Sequence, residues 1–464
     1  MSYTNTIKTK TLDPEFFNST QGCEFRLNDI NTTYLSSMYL GNVGAFADDG
    51  NRNVIKYNPY GGVKNLIKDI TLYDGGNVLA QLQEVGPWVA FKSQNQDNSD
   101  ARSKQLKELG NAALFNVEKA TAVGPERIGA MNHPIADGVG EEARLAAAES
   151  GTPAGHPGTG RGYFDIRDLL KELNTITSLD TTIFKNLRLV INWELDPLKF
   201  ADRSAHNANA PTAMSSIKAT QPILVVDCIK DMTTRTALLD NIKNVAFTSI
   251  ENDRVVINEI AATGVDIRQS TVLRGFDNKV LNRVLLVNNP VSSISGVVSI
   301  SGNANPPVYH ADNRTLYAGK NNSIAQYKLR VQMSVNGSNL FNGEGLEGSS
   351  VRQAVTTDTW GDMIANWGSN KVGICVNQAG AFATLDTHEY IDPRKVQFGG
   401  DYTGFKVQDR VKYLELAYTR SGVAAGSALV FSPGTSNIAL NVIVYGEVAK
   451  MLVIDGTNYR VSYM

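Results

Sequence analysis

Short runs that alternate apolar and polar residues recur along the whole chain, and almost every one is bounded by Gly, Asn, Asp or Pro. Period two sends successive side chains to opposite faces, so these runs read as half-buried strands joined by turns. In YKLRVQMSV, Tyr327, Leu329, Val331, Met333 and Val335 share one face, while Lys328, Arg330, Gln332 and Ser334 share the other. NLRLVINWE sets Leu187, Leu189, Ile191 and Trp193 against Arg188, Asn192 and Glu194. GVKNLIKDITLYDGG alternates at Leu66, Ile70 and Leu72, then meets Asp74-Gly75-Gly76, a hairpin signal. ILVVDCI, beginning at Ile223, is almost continuously apolar, as expected of a strand covered on both faces. Helical spacing is confined to residues 101–120, 164–173 and the VRQAVTTDTWGDMIANW stretch around Trp360 and Trp367. These pieces punctuate the strands without alternating with them, which disfavours a parallel βαβ layout. The fold class expected is all-β.

At 464 residues the chain exceeds one ordinary core, so two domains are expected. An internal repeat supports this. Four strand-like landmarks, near Cys23, Leu66, Leu187 and Leu224, recur in the same order near Val284, Leu329, Leu414 and Val442. The first two pairs are offset by roughly 260 residues and the last two by roughly 220 to 225, a periodicity argument of the usual kind. The difference of about 40 residues matches an Ala/Gly/Pro-rich excursion at 121–162 that contains GTPAGHPGTGRG and no sustained alternation, and a surface loop is where an insertion costs least. Two tandem eight-stranded jelly rolls with long loops and a few short helices fit these lengths, with the first roll over 1–235 and the second over 236–464.

Catalytic constellations are absent from the pattern. His133, His156, His206, His310 and His388 form no H-x-x-x-H or H-E-x-x-H motif, and His388-Glu389 lacks a second histidine. Cys23, Cys228 and Cys375 are odd in number and far apart, as small buried hydrophobes in a reducing compartment would be. No phosphate loop or nucleophile elbow occurs; Gly158, Gly160 and Gly162 belong to a loop, and Glu141-Glu142 carries no sign of facing carboxylates. The expectation is no enzyme, no catalytic residue, no cofactor and no metal. The charge balance of 44 basic against 46 acidic residues, with no basic stripe beside Trp88, Trp193, Trp360 or Trp367, argues against sequence-specific nucleic-acid binding. The polar N-terminus and the lack of a long apolar run predict a soluble chain made in the cytoplasm without a signal peptide, and sequons such as Asn18-Ser19-Thr20 and Asn336-Gly337-Ser338 are then chance matches.

Three stretches carry a resemblance: YGGVKNLIKDITLYDGGNVLAQLQEVGPW (60–88), GYFDIRDLLKELNTITSLDTTIFKNLRLVINWE (162–194) and LNVIVYGEVAKMLVIDGTNYRVSYM (440–464). Their order and hydrophobic pattern resemble the double jelly-roll major capsid proteins of the bacteriophage–adenovirus lineage, and within it those of polinton-like viruses, adintoviruses and virophages. The resemblance implies a homotrimer of pseudo-hexagonal outline, with trimers tiling an icosahedral shell around a double-stranded DNA genome. It also implies a virion location, penton and minor capsid proteins as partners, and room for an internal membrane. A carbohydrate- or receptor-binding β-sandwich, such as a virion spike, is the alternative, because jelly rolls also serve as lectins. The closing stretch is expected to supply the final buried strand of the second roll, turn at Asp455-Gly456, and end in an added strand without a counterpart in the first half.

Overall fold

A computed structural model of the chain describes residues 7–47, 62–86, 88–89, 117–120, 124–127, 161–195, 217–258, 266–290, 329–339, 346–347, 402–421 and 440–464. In chain order the first half contributes β1 (Ile7–Leu12), β2 (Phe16–Asn18), β3 (Gly22–Leu27), β4 (Thr33–Ala47), β5 (Ile67–Asp74), β6 (Asn77–Gln83), the small hairpin β7 (Val117–Ala120) and β8 (Gly124–Arg127), β9 (Arg161–Asp165), β10 (Ser178–Asp180), β11 (Leu187–Trp193), β12 (Ile217–Ala219) and β13 (Ile223–Ile229). A linker helix, Met232–Asn241, follows. The second half contributes β14 (Asn244–Ile257), β15 (Asp266–Val272), β16 (Lys279–Pro290), β17 (Leu329–Val335), β18 (Ser338–Asn339), β19 (Leu346–Glu347), β20 (Tyr402–Val411), β21 (Leu414–Ser421), β22 (Leu440–Asp455) and β23 (Asn458–Tyr463).

Each half is a sandwich of two antiparallel sheets, and the two halves share one strand order. In the first, one sheet runs β1-β13-β4-β10 and the other β3-β11-β5-β6, with β2 flanking β3. In the second, the sheets run β14-β22-β16-β20 and β15-β21-β17-β18. Numbering the main strands of either half from first to eighth, both give first-last-third-sixth in one sheet and second-seventh-fourth-fifth in the other. That is a pair of nested Greek keys.

The turns follow local chemistry. Gly75 and Gly456 have φ of +59° and +60°, the left-handed backbone that the Asp-Gly hairpins β5–β6 and β22–β23 require. Asn336, at φ 52°, turns β17 into β18; its side-chain Oδ1 accepts the amide of Lys412 at 2.7 Å, and its Nδ2 donates to the Arg410 carbonyl at 3.0 Å. This amide ties two turns together, whatever its place in a sequon.

Several expectations change. Residues 164–173 form no single helix: Phe164 lies in β9, and two 3-10 turns follow at Ile166–Asp168 and Lys171–Asn174. The apolar spacing that suggested a helix is real, since Ile166, Leu169, Leu170 and Leu173 are all buried. A 3-10 turn has three residues per turn and produces the same spacing over so short a piece. The Asp165 carboxylate, which accepts the Arg167 amide at 2.9 Å, caps the first turn as it leaves the strand. At 101–120 the described part, Val117–Ala120, is strand and not helix; the rest of that piece and the stretch around Trp360 and Trp367 lie outside the described residues. Leu66 closes a 3-10 turn, Gly62–Leu66, that precedes β5. β13 alternates in burial and is not covered on both faces. Of the four landmark pairs, three join equivalent strands: β5 with β17, β11 with β21, and β13 with β22. The first is displaced, because β3 corresponds to β15 and not to β16; DIRQSTV in β15 buries little, so its apolar signal is weak.

The excursion at 121–162 lies outside the described residues except for Gly124–Arg127 in its hairpin and residues 161–162 in β9. β3 and β11 meet so closely at one point that only glycine fits: a Cβ on Gly22 would sit 2.2 Å from the Ile191 carbonyl oxygen. Gly22→Ala is therefore expected to force the strands apart and cost about 1–3 kcal/mol, read as a lowered unfolding midpoint in urea. An unchanged midpoint would mean that the pair relaxes freely.

Candidate functional site

With no catalytic residue expected from the sequence, the feature that sets this chain apart is the seam between its halves. The apolar core is continuous across it. From the first half come β6, the turn after it, and Lys171–Asn174; from the second come β14, β22 and β23. β22 is buried continuously from Val442 to Val448, because one face packs on its own half and the other meets the first. On the inner face, a Cβ at Gly446 would lie 2.4 Å from Phe276, so glycine lets that ring reach the strand. On the seam face, the Tyr445 ring lies 5.7 Å from that of Trp88, and its hydroxyl donates to the Glu84 carbonyl at 2.5 Å.

Glu84 has φ 52°, a left-handed conformation a residue with a Cβ adopts only when its surroundings enforce it. Here the Asp69 carboxylate accepts its amide at 3.1 Å while Tyr445 takes its carbonyl. Its side chain pairs with Arg254 on β14, and Lys171 pairs with Glu447 on β22. At the far end, the Tyr459 ring of β23 packs on Phe184 with centroids 4.7 Å apart, and Asn77 donates to the Tyr459 hydroxyl at 3.5 Å. The terminal strand therefore pairs with β22 inside the chain and seals the seam.

Glu251 on β14 anchors a buried charge cluster beside the seam. It takes Lys450 at 2.7 Å and Lys279 at 2.6 Å, and accepts the Tyr463 hydroxyl at 3.0 Å. Burial alone would raise its carboxyl, but Lys450 and Lys279 outweigh burial and hold it below the usual carboxylate value. The linker helix is pinned by a second cluster. Arg235 forks onto Asp180 with two bonds of 2.8 Å, and the same carboxylate accepts hydrogen bonds from Thr33 and Thr182. These donors overcome burial and keep Asp180 below its ordinary value.

Nothing in this arrangement presents a nucleophile or a metal site. Cys23 and Cys228 are buried and free, and burial pushes the Cys23 thiol up to about 12. Trp88 and Trp193 are core residues. Cys375, Trp360, Trp367, Glu141, Glu142, Gly158, Gly160 and the five histidines lie outside the described residues. Among the described residues no group of three or more His, Cys, Asp or Glu side chains could hold a metal ion, and no helix is long and apolar enough to cross a membrane.

No family model matches this chain, and no curated protein matches it by sequence. Solved structures do match, over nearly all of it. PBCV-1 VP54, a crystal structure fitted into a cryo-EM reconstruction of the virophage Sputnik, is 13% identical with a TM-score of 0.52, covering 99% of this chain and 97% of its own. The fold is the double jelly roll. The cryo-EM structure of the Sputnik virophage is 11% identical with a TM-score of 0.51, covering 98% of this chain and 88% of its own. The crystal structure of the mavirus major capsid protein is also 11% identical, with a TM-score of 0.50, covering 99% of this chain and 90% of its own. At such identities the likeness is one of fold, and the seam described above is the contact that makes two jelly rolls one double jelly roll.

Proposed function

We infer that this chain is a major capsid protein, a structural and non-catalytic subunit that trimerises and builds an icosahedral shell around a double-stranded DNA genome. Its place is the virion, with penton and minor capsid proteins as neighbours. The first roll comprises 1–235 and the second 236–464. The observation that carries the reading is the double jelly roll itself, matched from end to end by capsid proteins of PBCV-1, Sputnik and mavirus.

The seam supports the trimer on physical grounds. Within one chain, the outer face of the second roll's β14–β22 sheet is covered by the β6 edge and the Lys171–Asn174 turn of the first roll. The equivalent outer face of the first roll, on β13, β4 and β9, has no such cover among the described residues. There Tyr39 and Tyr163 are 40% and 51% exposed, beside the half-buried Ile223 and Val225. Repeating the intrachain contact between chains would lay the β18 edge of one subunit on this face of the next. Such a head-to-tail contact closes into a ring when the rotation fits, and three chains of two rolls give six similar sides.

A solution mass of three chains is expected for the purified protein. The paired substitution Tyr39→Arg, Tyr163→Glu is expected to reduce it to one folded chain, since both rings lie outside the core. A stable monomer of the unaltered protein, above all one that binds a glycan, would overturn the reading.

A further inference from the structure

We propose that Glu172 is a proton-operated latch between the two rolls: its protonated carboxyl closes the seam, and ionisation loosens it. The residue is 1% exposed and sits in the Lys171–Asn174 turn, where the first roll meets β6 on one side and β14 of the second roll on the other. Its Oε1 accepts the Gln81 amide at 3.3 Å. Its Oε2 has no hydrogen-bond partner among the described residues. A carboxylate with one such oxygen in a buried contact is far more costly than a neutral acid there.

The surrounding charges do not compensate. Lys450 on β22 favours ionisation of Glu172, but it is already held by Glu251, whose own negative charge opposes it. Lys279, at the start of β16, is also taken by Glu251, and Tyr463 of β23 lies under both ammonium groups at 4.6 and 5.0 Å. Lys171, next in sequence, turns instead to Glu447. Two carboxyls near one seam are thus driven to opposite states: Glu251 stays charged, whereas burial pushes the Glu172 carboxyl up to about 7. A carboxyl whose folded value lies above its unfolded one contributes stability that is complete below the unfolded value. That stability is lost as pH rises through the folded value. The latch requires only the two rolls of one chain, whatever they assemble into.

The test compares the full-length protein with Glu172→Gln, which is neutral at every pH, by urea unfolding across about pH 5.5 to 8.5, a window bracketing the carboxyl's value. Histidine side chains ordinarily titrate in the same window, so the difference between the two proteins is what counts. The wild-type midpoint is expected to fall relative to the variant as pH rises through about 7, with amide exchange quickening in β6 and β14. Parallel profiles, or a variant weaker by the same amount at every pH, would overturn the latch and leave Glu172 a packing residue. If Glu172→Gln does not fold, carbon-13 titration of the Glu172 carboxyl in the wild type decides. A midpoint near 7 sustains the proposal, and one in the ordinary range of about 4 to 5 ends it.

Discussion

Asp180→Ala is expected to destabilise the chain by about 3–5 kcal/mol, because it strands the Arg235 guanidinium in a buried site with no counter-charge. Asp180 is fully buried, and its carboxylate is the meeting point of Arg235, Thr33 and Thr182. The loss strikes the junction of the rolls, since Arg235 belongs to the linker helix while Asp180 ends β10 of the first roll. Replacing both partners, as Asp180→Ala with Arg235→Leu, removes the orphaned charge and is expected to recover part of the loss. Chemical denaturation of the two variants measures the difference; equal midpoints for the single and double variants would show that the pair is not what holds the helix. The pH dependence has the opposite sign to that of Glu172. A depressed carboxyl contributes stability above its unfolded value, so this pair persists at neutral pH and fails only as pH falls below the ordinary Asp value.

The second large effect is expected at Tyr445. Its side chain is fully buried at the seam, where its ring packs at a tilt against that of Trp88 and its hydroxyl donates to the Glu84 carbonyl. Tyr445→Ala should cost about 3–5 kcal/mol, the usual range for deleting a large buried ring. Tyr445→Phe keeps the ring but leaves the Glu84 carbonyl without that donor, and about 1–3 kcal/mol is expected. Amide exchange separates the two: the alanine variant should expose both β6 and β22, whereas the phenylalanine variant should act chiefly around Glu84. If the alanine variant were as stable as wild type, the seam would not be an energetic unit.

The parts of the fold legible in the sequence were those fixed within a few residues. Alternation in NLRLVINWE places Leu187, Leu189, Ile191 and Trp193 in the core because β11 is central in its sheet with one face solvated, and a pleated strand has only that choice. Asp74-Gly75 and Asp455-Gly456 announce hairpins because few residues accept a positive φ. The seam was not legible. Glu447 on β22 and Arg254 on β14 look like parts of a solvated strand face until the first roll meets it through Lys171 and Glu84. Glu172 likewise looks like an ordinary charged residue of a short amphipathic helix. The contrast between β13 and β22 has the same origin. Each is the eighth main strand of its roll and both are similarly apolar, but among the described residues only β22 has the other roll packed on its outer face. Burial at that level depends on how large surfaces meet, and no spacing in one strand encodes it.

The most direct test of the capsid reading is single-particle electron microscopy of the purified protein. Flat particles with threefold symmetry and a pseudo-hexagonal outline, six similar lobes to each, are expected. Isolated two-lobed particles at concentrations where capsid subunits assemble would contradict it.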